Sequence, residues 1–201
     1  MISTQSFKKT KPLIFLIIIT PIFFWAYQFS NGQLGVNPIE KLMDNLGEMA
    51  LRLIVLTLFI SSLSEFRKFR FLIEARRMIG LFAFFYVTCH FLTYIVLDHF
   101  LDFNFIFKDI LKRPFITFGF ISFILLIPLV ITSPKGMLKK IGYKIWKRIH
   151  YLIYPAAILA SLHFYMLVRA NKIEPAIYIF LILLLLLYRL FYRVILPRQA
   201  Q

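Results

Sequence analysis

Apolar residues in this chain fall in long blocks separated by short, mostly basic, polar clusters. Six blocks, residues 12–29, 47–63, 78–97, 115–132, 149–168 and 175–194, approach the length a helix needs to cross a hydrocarbon core, about 20 residues. The pattern predicts an all-α protein, a polytopic membrane bundle of six transmembrane helices forming one domain over residues 1–201. Lys8, Lys9 and Lys11 precede the first block as in a signal peptide. No small-residue cleavage site follows in WAYQFSNGQ, so the block reads as an uncleaved helix. Asn31, Gly32, Gly35, Asn37 and Pro38 make a turn-rich loop before the second block. The segment 98–114 is partly apolar (FLDFNFIF) and is expected to lie along the membrane interface.

Composition agrees: 60% of the 201 residues are hydrophobic and 16% charged, more apolar surface than a soluble domain of this size uses. The net charge of +15 raises nucleic acid as a partner. The cations, however, sit in clusters between apolar blocks, as in the cytoplasmic loops of an inner-membrane protein. Counted in alternate connectors, Lys and Arg divide 16 to 6, which places both termini in the cytoplasm. The single cysteine, Cys89, excludes an internal disulfide and any cysteine-based metal cluster.

The candidate chemistry centres on WKRIHYLIYPAAILASLH, residues 146–163, which carries His150 and His163. Imidazole in hydrocarbon is costly unless something binds it, so an intramembrane histidine is a functional site by default. The topology puts His163 and His90 at one depth, in the middle-to-outer half of the bilayer, on different helices. His150 falls at the cytoplasmic end and His99 at the water-accessible outer end. Two imidazoles facing each other at one depth suit the axial positions of a six-coordinate haem iron. Zinc fits less well, because no Asp, Glu or Cys set accompanies the pair. The plain alternative is a pair of histidines hydrogen-bonded to carbonyls between helices. His150 is the ligand of a candidate second haem, with no evident partner histidine. On an ideal helix His150 and His163 stand about 140° apart and share a face only where Pro155 distorts the turn. The acidic residues all fall in loops or at helix ends, against a proton-coupled transporter. No Gly-rich dinucleotide fingerprint or phosphate loop is present. Arg76, Arg77, Lys147 and Arg148 read most simply as orientation charges, and more sharply as contacts for haem propionates, a flavin phosphate or an acidic partner.

The segments ARRMIGLFAFFYVTCHFLTYIVLD, LKRPFITFGFISFILLIPLVITS and IGYKIWKRIHYLIYPAAILASLHFY, with the earlier loop NGQLGVNPIEKL, resemble the MsrQ family. These are the haem-binding membrane subunits of bacterial protein-methionine-sulfoxide reductase systems, within the ferric-reductase-like transmembrane group. The resemblance spans roughly residues 12–195 and implies six helices with b-type haem, one or two per chain. It matches His90, His150 and His163 to haem-associated histidines, and His99 to none. It implies electrons from a cytosolic flavin reductase or the quinone pool, delivered to a periplasmic molybdopterin subunit on which sulfoxide reduction takes place. The family is also associated with flavin, making FMN a further candidate cofactor. The expectation is therefore an electron-transfer subunit of the bacterial inner membrane. The alternatives are a ferric- or cupric-reductase-like electron carrier and a non-redox membrane scaffold or transporter.

Overall fold

The structure is a computed structural model. It describes residues 4–194, with the backbone alone at 4–8, 135, 193 and 194. Arg198 and the side chains of Lys8, Lys135 and Arg193, which enter the charge count above, lie outside the described residues. Among the described residues eight α-helices follow one another: α1 Thr4–Ser30, α2 Pro38–Leu63, α3 Ile73–Leu92, α4 Phe103–Lys112, α5 Pro114–Ile131, α6 Lys135–His150, α7 Ile153–Leu167 and α8 Ile173–Val194. A 3-10 segment, Arg67–Leu72, leads into α3, and a π-helical turn, Thr93–Asp98, continues it. There is no strand among the described residues. Among the described residues six stretches are long and apolar enough to cross a membrane: α1, α2, α3 with its flanking turns, α5, α6 with α7, and α8. Helices suit that setting because each satisfies its own backbone groups without water. The molecule is a multi-pass membrane protein.

Several boundaries differ from the hydropathy blocks, each for a local reason. The second helix starts at Pro38, not near residue 47. Asn37 caps it by accepting from the Glu40 N–H at 3.3 Å, and proline suits the first helical position because its missing N–H has no helical partner there. Glu48 therefore lies well inside α2, ion-paired to Arg52 at 2.7 Å. The expectation that every carboxylate sits in a loop or at a helix end is corrected here. The basic connector 133–148 is not a loop but α6, interrupted where Gly142 takes a positive φ of 75°. The segment 98–114 contains α4, whose exposed Phe103, Phe107 and Leu111 form one stripe beside buried Ile106 and Asp109.

The expected fifth helix is broken at its base. Pro155 has no N–H for the Tyr151 carbonyl, and its ring would clash there in a continuous helix. That carbonyl accepts instead from Tyr154 at 3.1 Å, and the Leu152 carbonyl from Ala156 at 3.1 Å. The chain thus turns at Tyr151–Leu152 between α6 and α7.

Packing organises the spans as two close pairs, α2 with α3 and α5 with α7. Small residues let the second pair approach: Ala156 and Ala157 are fully buried, and Ser122 Oγ donates to the Ala156 carbonyl at 2.9 Å. Without water to drive helices together, such close contact and interhelical hydrogen bonds carry association in a bilayer. α8 lies against α7 and α2, and Arg52 Nε reaches Tyr178 Oη on it at 3.1 Å. α1 is peripheral, held by the buried Tyr86, whose hydroxyl donates to the Ile18 carbonyl.

Candidate functional site

Two places between the helix pairs gather the histidines. The first is near the end of the bundle where α2 begins and α3 finishes. His90 on α3 and His163 on α7 face each other there, with ring centroids 6.2 Å apart and ring planes at 80°. His90 Nδ1–H donates to the Met43 carbonyl on α2 at 2.8 Å. His163 Nδ1–H donates to the Phe115 carbonyl on α5 at 2.7 Å. Each bond fixes the tautomer, leaves Nε2 as the free lone pair and holds the ring's direction. The two helix pairs thus build matching seats, an imidazole on one helix braced by a carbonyl on its neighbour.

Two glycines complete those seats. A Cβ on Gly47 would stand 3.0 Å from His90 Nδ1, and one on Gly119 would stand 2.9 Å from His163 Nδ1. No larger residue leaves room for the imidazole where it now lies. Neither glycine stood out from the sequence alone. The available signal was a glycine inside an apolar helical block, where it costs stability relative to alanine and so marks a packing reason.

The spacing admits a metal. Metal–imidazole bonds of about 2.0–2.1 Å and about 1.1 Å from nitrogen to ring centre place two coaxial imidazoles on one metal with centres about 6.3 Å apart. The observed 6.2 Å matches. Among the described residues no group of three or more His, Cys, Asp or Glu side chains could hold a metal ion. A tetrahedral protein-only zinc site is therefore not formed by these residues, whereas a planar macrocycle supplies the remaining ligands itself. Phe91, next to His90 in the chain, lies tilted against Phe120 and Phe123 with centroids 5.8 and 4.9 Å away, and Phe123 stacks on Phe84 at 5.6 Å.

The second place is a cavity of about 570 Å³ at the opposite, basic end. Its lining combines apolar Ile54, Leu58, Ala83 and Leu126 with five cations, Arg70, Arg76, Arg77, Lys147 and Arg189, and one carboxylate, Glu65. His150 opens into it, its ring stacked on Trp146 with centroids 3.9 Å apart and its Nδ1–H donating to the Trp146 carbonyl at 3.0 Å. Trp146 is itself fixed by donating to the Thr132 carbonyl at 3.0 Å. No second histidine lines this cavity. Arg76, fourteen residues before His90 as His150 is thirteen before His163, lines the wall provided by α3. Gly80, also on α3, lines the same cavity, and a Cβ there would stand 3.9 Å from Thr57 of α2.

Among the residues singled out from the sequence, the structure joins His90 with His163, and His150 with Arg76, Arg77 and Lys147. It leaves Arg148 outside the cavity lining, exposed on the other side of α6. That follows from the roughly 100° each residue turns, so adjacent cations point apart. His99 stands away from both places, with Nε2 3.4 Å from Asp98 Oδ2 and its ring 4.5 Å from that of Tyr94. Sequence reasoning did not reach Arg70, Arg189 or Trp146 as parts of the cavity, because they come from three separate elements.

Comparison with known proteins agrees with this architecture. Residues 46–161 match the family model described as ferric reductase like transmembrane component. The protein-methionine-sulfoxide reductase heme-binding subunit MsrQ of Caulobacter vibrioides is 43% identical, over 88% of this chain and 84% of its own length. MsrQ of Herminiimonas arsenicoxydans is 43% identical over 90% and 84%, and that of Rhodospirillum rubrum 41% identical over 88% and 85%. Paired imidazole seats between two helix pairs thus stand in a chain that belongs to the MsrQ family, with the membrane domain of ferric-reductase-like proteins.

Proposed function

We propose that this chain is a b-type cytochrome subunit of the bacterial inner membrane, carrying electrons from the cytoplasm to a periplasmic methionine-sulfoxide reductase subunit. The observation that carries this reading is the His90–His163 pair, 6.2 Å apart with both Nε2 atoms free of the carbonyl tethers. Its relatives are by name heme-binding subunits of protein-methionine-sulfoxide reductase, and the seats fit such a group. Bound haem supplies reversible one-electron iron chemistry. The chain's own part is to hold the two imidazoles, exclude water with apolar walls and set the depth of the site. On this reading His90 and His163 are the axial ligands of one haem. The basic end, with α6 and the Arg67–Arg77 segment, faces the cytoplasm, and both termini lie there. The domain takes in the whole chain.

A second haem in the cytoplasmic cavity would be held by His150, with Arg76 on the facing wall placed for a propionate and not as a ligand. The basic lining of that cavity favours one other occupant, FMN, with its phosphate among Arg70, Arg76 and Lys147 and its ring beside Trp146. The electron donor is a cytosolic flavin reductase or a quinol. Reduction of the sulfoxide to thioether and water consumes two electrons and two protons, and takes place on the partner.

The test is a reduced-minus-oxidised absorbance spectrum of the purified chain with haem per chain measured, repeated for His90→Ala and His163→Ala. Each variant is expected to lose the same low-spin haem. A colourless wild-type protein, or two variants that lose different haems, would overturn the assignment. His150→Ala separates the occupants of the cavity: loss of a second haem supports one, and loss of bound flavin with haem unchanged supports the other.

A further inference from the structure

A second recess, of about 520 Å³, lies on the outside of the bundle between α1 and α3. Its walls are apolar, with Phe15 and Ile19 from α1 and Phe82 and Phe85 from α3. Its mouth, at the basic end, holds Lys11, Glu74 and Arg77. Lys11 Nζ lies 2.8 Å from Glu74 Oε2 and joins the two helices across that mouth. Arg77 is exposed, and its one hydrogen bond among the described residues is from Nε to Ser133 Oγ at 3.3 Å. α1 buries little of its apolar surface against the rest of the chain, so the recess faces the bilayer.

We propose that this recess binds one anionic phospholipid, its phosphodiester between Lys11 and Arg77 and an acyl chain laid along Phe15, Ile19 and Phe82. Charge complementarity selects this occupant. Among the described residues of the mouth, two cations and one carboxylate leave one positive charge, which a single phosphodiester balances. Lysine and arginine at the end of an apolar groove between helices supply charge-assisted hydrogen bonds where lipid phosphates lie. A zwitterionic lipid brings an ammonium that restores the excess charge, and Glu74 is already held by Lys11. Arg76 lines the cofactor cavity alone, whereas Arg77 borders both that cavity and this recess. The site does not depend on the haem reading.

The full-length protein is reconstituted in nanodiscs of equal parts phosphatidylglycerol and phosphatidylethanolamine, and retained lipid is read by native mass spectrometry. Wild type is expected to retain phosphatidylglycerol several-fold over phosphatidylethanolamine. Lys11→Gln with Arg77→Gln removes that preference, while Lys68→Gln, a cation outside the recess, leaves it unchanged. Ile19→Trp fills the groove without altering charge, lowers retention of the bound lipid, and decides the matter if the double variant does not fold. Equal retention of the two lipids by wild type, a preference that survives the double variant, or undiminished retention in Ile19→Trp would overturn the proposal.

Discussion

At the scale of single residues, the His90–His163 pair depends on atoms that carry no chemistry of their own. The His163 tether and the bare Cα of Gly119 occupy the same corner, and a methyl group there would meet Nδ1 at 2.9 Å. Overfilling a packed site typically costs about 1–3 kcal/mol. Gly119→Ala is therefore expected to lower the thermal stability of the haem-loaded protein and shift its reduction potential, read by spectroelectrochemistry. Gly47→Ala, with contacts at 3.0 and 3.1 Å, should do the same more weakly. A potential and a melting temperature both unchanged in Gly119→Ala would show that the ring has room to move. The ring planes stand at 80°. If His90 and His163 hold a haem iron between them with their rings so oriented, two iron d orbitals lie close in energy, and the ferric protein is expected to give a highly anisotropic low-spin electron paramagnetic resonance signal. A rhombic signal typical of parallel ligand planes would contradict the geometry.

At the scale of elements, the break between α6 and α7 sets where His150 points relative to His163. Pro155 causes it by denying the Tyr151 carbonyl its usual donor. Pro155→Ala permits a continuous helix through this region, which would swing α6, with Trp146 and His150 together, away from the cavity. The expected outcome is loss of the cofactor bound at His150 with the His90–His163 haem retained, measured as haem and flavin per chain. Retention of both would show that α6 is held by the Trp146–Thr132 bond and not by the proline. The proline was visible in the sequence as a source of distortion, but the direction of the bend was not. The same holds for α2 and α6. Hydropathy finds the part of a helix that lies in hydrocarbon, whereas capping by Asn37 and the aromatic face of α6 extend helices into polar sequence.

At the scale of the whole molecule, charge is distributed by end. The basic clusters of the Arg67–Arg77 segment and α6 gather where the His150 cavity opens. A field of one sign raises the association rate of an oppositely charged partner by about tenfold or more and weakens with salt. Replacing Lys139, Lys140 and Lys144 by Gln is expected to slow reduction by a cytosolic flavin reductase about tenfold and to flatten its salt dependence. Haem content should not change. Unaltered donor kinetics would return these lysines to a purely topological role.

The sequence by itself determined the class of molecule. Apolar block length is set by bilayer thickness, and the basic connectors mark one side, so neither reading needs a contact between distant residues. It also placed His90 and His163 at one height, because rise along a helix is a fixed quantity per residue. Only the tertiary structure decided that the two rings face each other. That depends on which helices pair, and pairing rests on small residues such as Ala156 and Gly119, whose meaning lies in what stands opposite them. Likewise, the cavity around His150 collects side chains from elements far apart in the chain. Its shape exists only once α2, α3, α5, α6, α7 and α8 are packed together.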